Sequence, residues 1–208
     1  MTISIGILAS HEGSTAQAII ERCGNGEIPG HVSVVISNNR EATVLDRARA
    51  SGVDALHLGR ATQPVPEELD GAIEQALSSR EVDVVVLAGY LRPVGSAVLT
   101  AFKGRIVNIH PSLLPRHGGK GMFGQAVHQA VIESGNTTSG ATVHLVTEDY
   151  DDGPIVAQRE VTVLPGDTAE ALGDRVRVAE RDLLVDTLRK WALGQLPESG
   201  QRRKFRTS

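Results

Sequence analysis

The most constraining feature of this 208-residue sequence is a repeated alternation of short apolar runs with segments of helical spacing. The run VDVVVL is almost continuously β-branched, which is typical of a strand buried on both faces. The alternation predicts a mostly parallel, twisted α/β sheet with helices on both faces. The predicted strands cover residues 4–9, 32–36, 55–58, 82–87 and 105–109, and the predicted helices cover 14–23, 42–50, 67–78 and 94–102.

The last third of the sequence has a different pattern. Residues 112–124 hold several glycines and one proline and are predicted to form a loop, followed by a helix over 125–133. Two strand-like runs at 141–147 and 155–163 are joined by the turn-rich segment EDYDDGP, which predicts antiparallel strands that extend the sheet. A capping residue and a first-turn acid near Thr168 predict a long helix that runs towards Trp191.

Composition argues against several classes of protein. No segment reaches the roughly 18 apolar residues of a membrane span, and the N-terminus lacks the basic start of a signal peptide, so we expect a cytoplasmic protein without membrane contact. A net charge of −4 and an aromatic content of 3% argue against nucleic-acid binding. One cysteine and seven histidines without HxH or HxxxH spacing predict no metal site.

The turn after the first predicted strand is a candidate anion site. It lies at the carboxyl end of that strand, where ligands of such sheets bind. Gly13 allows close approach of the backbone, and the helix-start amides with the hydroxyls of Ser14 and Thr15 can hold a phosphate. The alternative is an ordinary tight turn with a capping side chain.

A second candidate site lies where the strand around NIH ends and the segment PSLLP begins. Alternation along the strand places Asn108 and His110 on the same side. The amide can donate a hydrogen bond to an oxygen that becomes negative, and a protonated imidazole can do the same or transfer a proton. Pro111 and Pro115 restrict the following loop. The pair is therefore a catalytic candidate, although a lone histidine at a strand end is more often structural.

The acidic turn at residues 148–154 is a third region of interest. Such runs usually form a solvated turn, and the spacing of an EF-hand calcium loop is absent. A carboxylate that pointed at His110 would favour the imidazolium and raise its pKa. Periodicity does not say which carboxylate this would be.

Several segments, spread in order over nearly the whole chain, resemble the folate-dependent formyltransferases. The segment NIHPSLLP marks the wider superfamily, and the others resemble the branch that acts on glycinamide ribonucleotide. They read GSTAQAII, SNNREATVLDRARASGV, DVVVLAGYLRPV, GRIVNIHPSLLP, SGATVHLVTEDYDDGPIVAQ and RVRVAERDLL.

This resemblance implies roles for individual residues. It implies that Asn108, His110 and Asp151 form a catalytic trio. It also implies that the turn from Gly13 to Thr15 holds the substrate phosphate and that Glu180 receives the glycinamide end. The folate pocket that it implies consists of Ala88, Gly89, Leu91, Arg92, Val94, Val146, Thr147 and Tyr150.

The resemblance further implies the reaction and the organisation of the chain. We expect transfer of a formyl group from 10-formyltetrahydrofolate to the amine of glycinamide ribonucleotide, in purine (IMP) biosynthesis, with small-molecule substrates and a possible homodimer. Residues 1–193 are expected to form the formyltransferase domain and residues 194–208 a flexible basic tail. The alternatives are another N-formyltransferase, such as one acting on a sugar nucleotide, and a non-catalytic folate- or nucleotide-binding protein on the same fold.

Some positions depart from the family pattern. The family usually has Asn where Thr15 stands, and Glu12 puts a carboxylate beside the proposed anion site. The loop at 117–124 lacks the paired histidines of the commoner form, and Lys120 is a possible compensating phosphate contact. These departures leave the proposed chemistry intact and concern affinity for the substrate.

Overall fold

A seven-stranded sheet forms the centre of the computed structural model, which describes residues 2–196. The strands are β1 (Ile3–Leu8), β2 (Gly30–Ser37), β3 (Asp54–His57), β4 (Val84–Leu87), β5 (Ile106–His110), β6 (Thr138–Leu145) and β7 (Ile155–Thr162). They lie in the order β3-β2-β1-β4-β5-β6-β7. The pairs from β3 to β5 are parallel, whereas β5–β6 and β6–β7 are antiparallel. The predicted mostly parallel sheet with antiparallel C-terminal strands is therefore confirmed.

Helices cover both faces of this sheet, as predicted. They are α1 (Ser14–Gly24), α2 (Thr43–Ala50), α3 (Pro66–Ser78), α4 (Ser96–Ala101), α5 (Gln125–Glu133) and α6 (Ala169–Ala192). Apolar residues of α1, α2 and α6 pack on one face of the sheet, and those of α3 and α4 pack on the other. The hydroxyl of Thr168 accepts a hydrogen bond from the amide of Ala171 at 3.1 Å and so caps α6 at the predicted position.

Two element boundaries differ from the prediction for identifiable reasons. Helix α4 begins at Ser96 and not at residue 94, because the Asp70 carboxylate accepts from the amide of Ala97 at 2.6 Å and caps the helix there. Strand β6 begins at Thr138, before its apolar pattern starts. Gly140 permits this, since a Cβ at that position would lie 2.2 Å from the carbonyl oxygen of Arg159 on β7.

The two sides of β5 have different surroundings. Val107 and Ile109 pack with the α6 side of the core, whereas Ile106 belongs to the opposite apolar cluster. Because side chains alternate along a strand, Asn108 and His110 lie on the same face as Ile106. Beyond α3 and α4, loops complete this face, and they bring the polar groups described below onto it.

The chain reverses its winding direction between β1 and β4, which are neighbours in the sheet. This arrangement opens a crevice at the carboxyl ends of the strands. Ser10, at the end of β1, links both sides of the crevice, since its hydroxyl donates to Asn38 at 2.6 Å and accepts from the amide of Leu91 at 2.9 Å. The sequence analysis did not identify this buried serine.

The division of the chain at residue 193 stays a prediction. Most of the predicted basic tail, residues 197–208, lies outside the described residues.

Candidate active site

His110 ends β5 and is almost completely buried, at 3% exposure. Its Nε2–H donates to the carbonyl oxygen of His117 at 2.8 Å. Its Nδ1 lies 3.4 Å from Oδ2 of Asp151. The two ring nitrogens therefore face two acceptors, one neutral and one charged, and this arrangement fixes the plane of the imidazole.

Asp151 reaches this position from the turn between β6 and β7. Its backbone has a φ of 55°, in the left-handed region that Asp and Asn tolerate better than most residues. Oδ2 accepts from the amide of Gly119 at 2.9 Å, and Oδ1 lies 3.4 Å from Nε2 of His144. Of the carboxylates in the acidic turn, Asp151 is the one that faces His110, as the family resemblance implies.

Asn108 and His144 complete the cluster across the antiparallel pair of β5 and β6. The two residues are register partners, and Nδ2 of Asn108 lies 3.1 Å from Nε2 of His144. Nδ1–H of His144 donates to the carbonyl of Leu145 at 3.0 Å, so in the neutral ring Nε2 accepts one Asn108 hydrogen. The second amide hydrogen of Asn108 is left for another acceptor. The sequence analysis missed His144. Its position opposite Asn108 depends on the register of β5 and β6, which the pattern of a single strand does not give.

The protonation of His110 differs from the sequence-based expectation. Burial lowers the pKa of His110 below its ordinary value, and this effect outweighs Asp151 and the His117 carbonyl, which raise it. The resting imidazole is therefore mainly neutral at pH 7. Burial also raises the pKa of Asp151, but the neighbouring rings of His144 and His110 and the hydrogen bond from the Gly119 amide together bring it below its usual range. Asp151 is accordingly ionised beside a neutral ring.

The predicted anion site is a glycine turn without a capping side chain. Gly13 precedes α1 with a φ of 71°, and a Cβ there would lie 2.1 Å from Cγ2 of Val44. Among the described residues 2–196, no side chain caps this end of α1, so its first-turn amides are not used by a cap. Ser14 and Glu12 are exposed, and Thr15 is half-buried. The turn thus lacks the capping side chain of the alternative, and its role as an anion site stays a prediction.

Two of the loops implied for the folate pocket meet at one apolar cluster. Val94, after β4, and Val146, after β6, both pack against the cluster formed with α3 and α4. Ala88 is buried, whereas Leu91 and Tyr150 are exposed at 47% and 56%. The other positions of the implied pocket are on the surface of the same loops: Gly89, Arg92 and Thr147 are exposed.

Glu180 lies on α6, away from the hydrogen bonds that join His110, Asp151, His144 and Asn108. Its carboxyl group is largely buried, and burial raises its pKa to about 7, against the opposing effect of Arg177 and Arg181. Among residues 2–196, no hydrogen bond or ion pair joins the Glu180 side chain to the catalytic candidates. Its implied contact with a substrate amine stays a prediction.

Glu180→Gln is expected to stabilise the fold at alkaline pH. A folded-state pKa raised from 4.5 to about 7 gives a contribution that is complete at low pH and lost as the pH rises through 7. The neutral isostere should therefore gain up to about 3 kcal/mol in free energy of unfolding at pH 8.5 and almost nothing at pH 4, below the unfolded-state pKa of 4.5. Urea denaturation at both pH values measures this. The exposed Glu170→Gln on the same helix is the control, and equal stability of Glu180→Gln and wild type at pH 8.5 would contradict the argument.

Metal ligation, membrane insertion and a cysteine nucleophile are the other possibilities on which the described residues bear. Among residues 2–196, no group of three or more His, Cys, Asp or Glu side chains is placed to hold a metal ion. No helix in this range is long and apolar enough to cross a bilayer. Cys23 packs against the core, and burial raises the pKa of its thiol to about 11, which opposes a role as a nucleophile.

Comparison with known proteins identifies the class to which this fold and site belong. A family model described as formyl transferase matches residues 3–188, and the chain belongs to this family. The resemblance found in the sequence is thereby confirmed.

Individual relatives carry names more specific than that of the family. The chain is 36% identical over 192 residues to a phosphoribosylglycinamide formyltransferase of Haemophilus influenzae, covering 92% of this chain and 88% of the relative. It is 38% identical over 185 residues to the chloroplastic phosphoribosylglycinamide formyltransferase of Arabidopsis thaliana. That match covers 88% of this chain but only 63% of the relative. A crystal structure of glycinamide ribonucleotide transformylase 1 from Symbiobacterium toebii superimposes with a TM-score of 0.89 at 44% identity, covering 96% of this chain and 92% of that chain.

Proposed function

We propose that this protein transfers the formyl group of 10-formyltetrahydrofolate to the primary amine of glycinamide ribonucleotide. The single observation that carries the proposal is the buried cluster in which His110 lies between the His117 carbonyl and Asp151, with Asn108 beside it. An amide donor and an imidazole next to a carboxylate are the groups that acyl transfer to an amine requires. The relatives named above are named for this activity, and the solved structure among them also shares the fold.

The surroundings of the cluster suit a flat, partly apolar cosubstrate. Leu91, Phe123 and Tyr150 expose large apolar side chains at 47%, 59% and 56%; Leu91 follows β4, Phe123 is in the loop after His117, and Tyr150 adjoins Asp151 in the chain. Exposed apolar groups grouped around a polar centre are typical of a ligand site. A pterin ring has the apolar faces and polar edges that such loops can bind.

The uncapped start of α1 suits the other substrate. First-turn amides and the partial positive charge of a helix N-terminus favour a phosphate. Gly13 lets the backbone come close, and the exposed Ser14 hydroxyl can donate a further hydrogen bond. The first turn of α1 contains no acid, and the exposed Glu12 before it is the carboxylate closest in sequence to this end.

The bound folate supplies the activated formyl group. The substrate amine forms a bond to the formyl carbon, and the bond from this carbon to N10 of the folate breaks. One proton must leave the amine and reach N10. Charge develops on the formyl oxygen between these steps, and this charge has to be stabilised within the site.

The residues of the cluster match these requirements. Because Nε2–H of His110 is bound to the His117 carbonyl, the pair formed by Nδ1 of His110 and Asp151 is left to take the proton from the amine and return it to N10. Asp151 stabilises the imidazolium formed in between. Asn108 donates its second amide hydrogen to the oxyanion. The sequence analysis considered a protonated His110 as a donor to the oxyanion or a proton carrier, whereas here the ring is neutral at rest and carries the proton.

A panel of three formyl acceptors tests the proposed substrate. We expect transfer to glycinamide ribonucleotide, a reduction of kcat/KM of about 10²-fold or more for the same amine without its phosphate, and no transfer to an amino-sugar nucleotide. Formation of tetrahydrofolate and of formylated product measures each rate with the purified full-length chain.

Each result of this panel has a distinct meaning. Equal rates with and without phosphate would contradict the anion site, and preference for the sugar nucleotide would move the protein to that branch of the family. Folate binding without transfer to any acceptor would favour a non-catalytic role. A cytoplasmic location and a homodimer stay predictions, which cell fractionation and sedimentation of the purified protein test.

A further inference from the structure

We propose that Asn136 is a positioning residue that sets the working nitrogen of His110 through the side chain and carbonyl of His117. Asn136 lies in the turn after α5, and nothing in the reaction itself requires it. The kinetic consequences rest on the proposed function. The effect on the His110 ring does not, and it can be measured on the protein alone.

Two consecutive hydrogen bonds make up this connection. Nδ2 of Asn136 lies 2.9 Å from Nε2 of His117, and the carbonyl oxygen of His117 accepts from Nε2–H of His110 at 2.8 Å. The side chain of His117 is thus held by Asn136, and the backbone carbonyl of His117 in turn holds the imidazole of His110. Any rotation of its peptide group would remove the acceptor from His110.

The backbone of His117 needs such a restraint. Its φ is 54°, a left-handed conformation that is unfavourable for a residue with a side chain. The loop that follows contains Gly118, Gly119 and Gly121, the last two with φ values of 94° and 90°, so the chain itself gives little stiffness here. The restraint has to come from outside the loop.

Packing does not provide it. A cavity of about 320 Å³ lies against His117 and Asn136, with Arg116, Ser139 and Glu160 in its wall. An imidazole beside such a space has room to leave its position, and the hydrogen bond from Asn136 restrains it.

The chemical consequence concerns which ring nitrogen carries the proton. A histidine nitrogen bound to a backbone carbonyl keeps its hydrogen, and the other nitrogen is left as the base. The His117 carbonyl therefore keeps Nε2 of His110 protonated and makes Nδ1, which faces Asp151, the exchanging site. The other ionisable groups that act on His110 are His144, His128 and His117 itself.

The variants that test this are Asn136→Ala, His117→Gly and their combination. Glycine tolerates the backbone of residue 117 and removes only the ring. We expect each single variant to lower kcat about 10-fold with little change in KM, the range seen when a group that orients a catalytic ligand is removed. Because both variants break the same connection, the double variant should be no slower than the slower single one.

Two further variants provide the matched comparison. Asn136→Asp replaces the amide donor with a carboxylate that accepts from Nε2–H of the other His117 tautomer, and it should restore most of the activity. Asn25→Ala removes an asparagine that caps an exposed turn by accepting from Glu27 at 3.0 Å, and it should leave both kcat and the His110 ring unchanged.

Nitrogen-15 NMR of the histidine rings in the unliganded protein decides the structural part. In wild type the Nε2–H tautomer of His110 should dominate, and in Asn136→Ala the population of the other tautomer should rise with a changed pKa of this ring. An unaltered His110 spectrum in Asn136→Ala overturns the inference, as does an additive loss of kcat in the double variant. A wild-type protein without transferase activity contradicts the proposed function instead, and the spectrum then still decides the role of Asn136.

Discussion

Replacing His110 by alanine is expected to lower kcat/KM for formyl transfer by at least about 10²–10³-fold, because the variant loses both the proton carrier and a stabilising charge beside the oxyanion. The protein should remain folded. The change leaves the His117 carbonyl without its partner, which costs on the order of 1–3 kcal/mol. Initial rates with 10-formyltetrahydrofolate and glycinamide ribonucleotide measure the first effect, and urea denaturation measures the second.

The controls for this variant separate catalysis from folding. His110→Asn keeps a polar side chain in the buried site and should be as inactive as the alanine variant, with a smaller loss of stability. His31→Ala removes an exposed histidine at the start of β2 and should behave as wild type. Turnover of the alanine variant within a few-fold of wild type would remove His110 from the mechanism.

The fold could be predicted because its main signals are local. Buried parallel strands such as β4 are apolar on both faces, and a helix such as α5 shows its period over residues 125–133, which the structure matches at both ends. The boundaries that differed depend on partners distant in the chain. Asp70 of α3 sets the start of α4, and pairing with β7 extends β6 through Gly140. Single-segment patterns contain no information about such partners.

The site was only partly accessible from the sequence for a related reason. Alternation along one strand places Asn108 and His110 together, but Asp151 was singled out only by the family resemblance. His144 lies opposite Asn108 through the β5–β6 register, which periodicity does not provide. The His117 carbonyl and the Gly119 amide are backbone groups, and side-chain chemistry gives no sign of them.

The shift of the His110 pKa also depends on contacts that the sequence pattern does not reveal. The effect of a neighbouring carboxylate was predicted correctly in sign, since Asp151 does raise this pKa. Burial, which depends on how the loops after β5 and β6 close over the ring, lowers it by more. A resting neutral imidazole next to an ionised carboxylate follows, and the role of Asp151 becomes the stabilisation of a charge that exists only during the reaction.

Asp151→Asn is accordingly expected to lower kcat by about 10²–10⁴-fold, since the imidazolium formed during transfer loses its counter-charge. Asparagine tolerates the left-handed backbone at this position, and its oxygen can still accept from the Gly119 amide, so the change removes little except the charge. The pKa of His110 should fall further, because Asp151 opposes the effect of burial on that ring.

The pH dependence of stability gives this variant a second readout. The folded-state pKa of Asp151 lies below its usual range, so its carboxylate stabilises wild type at neutral pH and this contribution is lost as the pH falls through the folded-state value. Wild type should therefore be more stable than Asp151→Asn at pH 7, and the difference should disappear in acid. The exposed neighbour Asp152, changed to asparagine, removes the same charge from the same turn without touching the cluster. If Asp152→Asn lost as much activity as Asp151→Asn, the effect would belong to the charge of the turn and not to contact with His110.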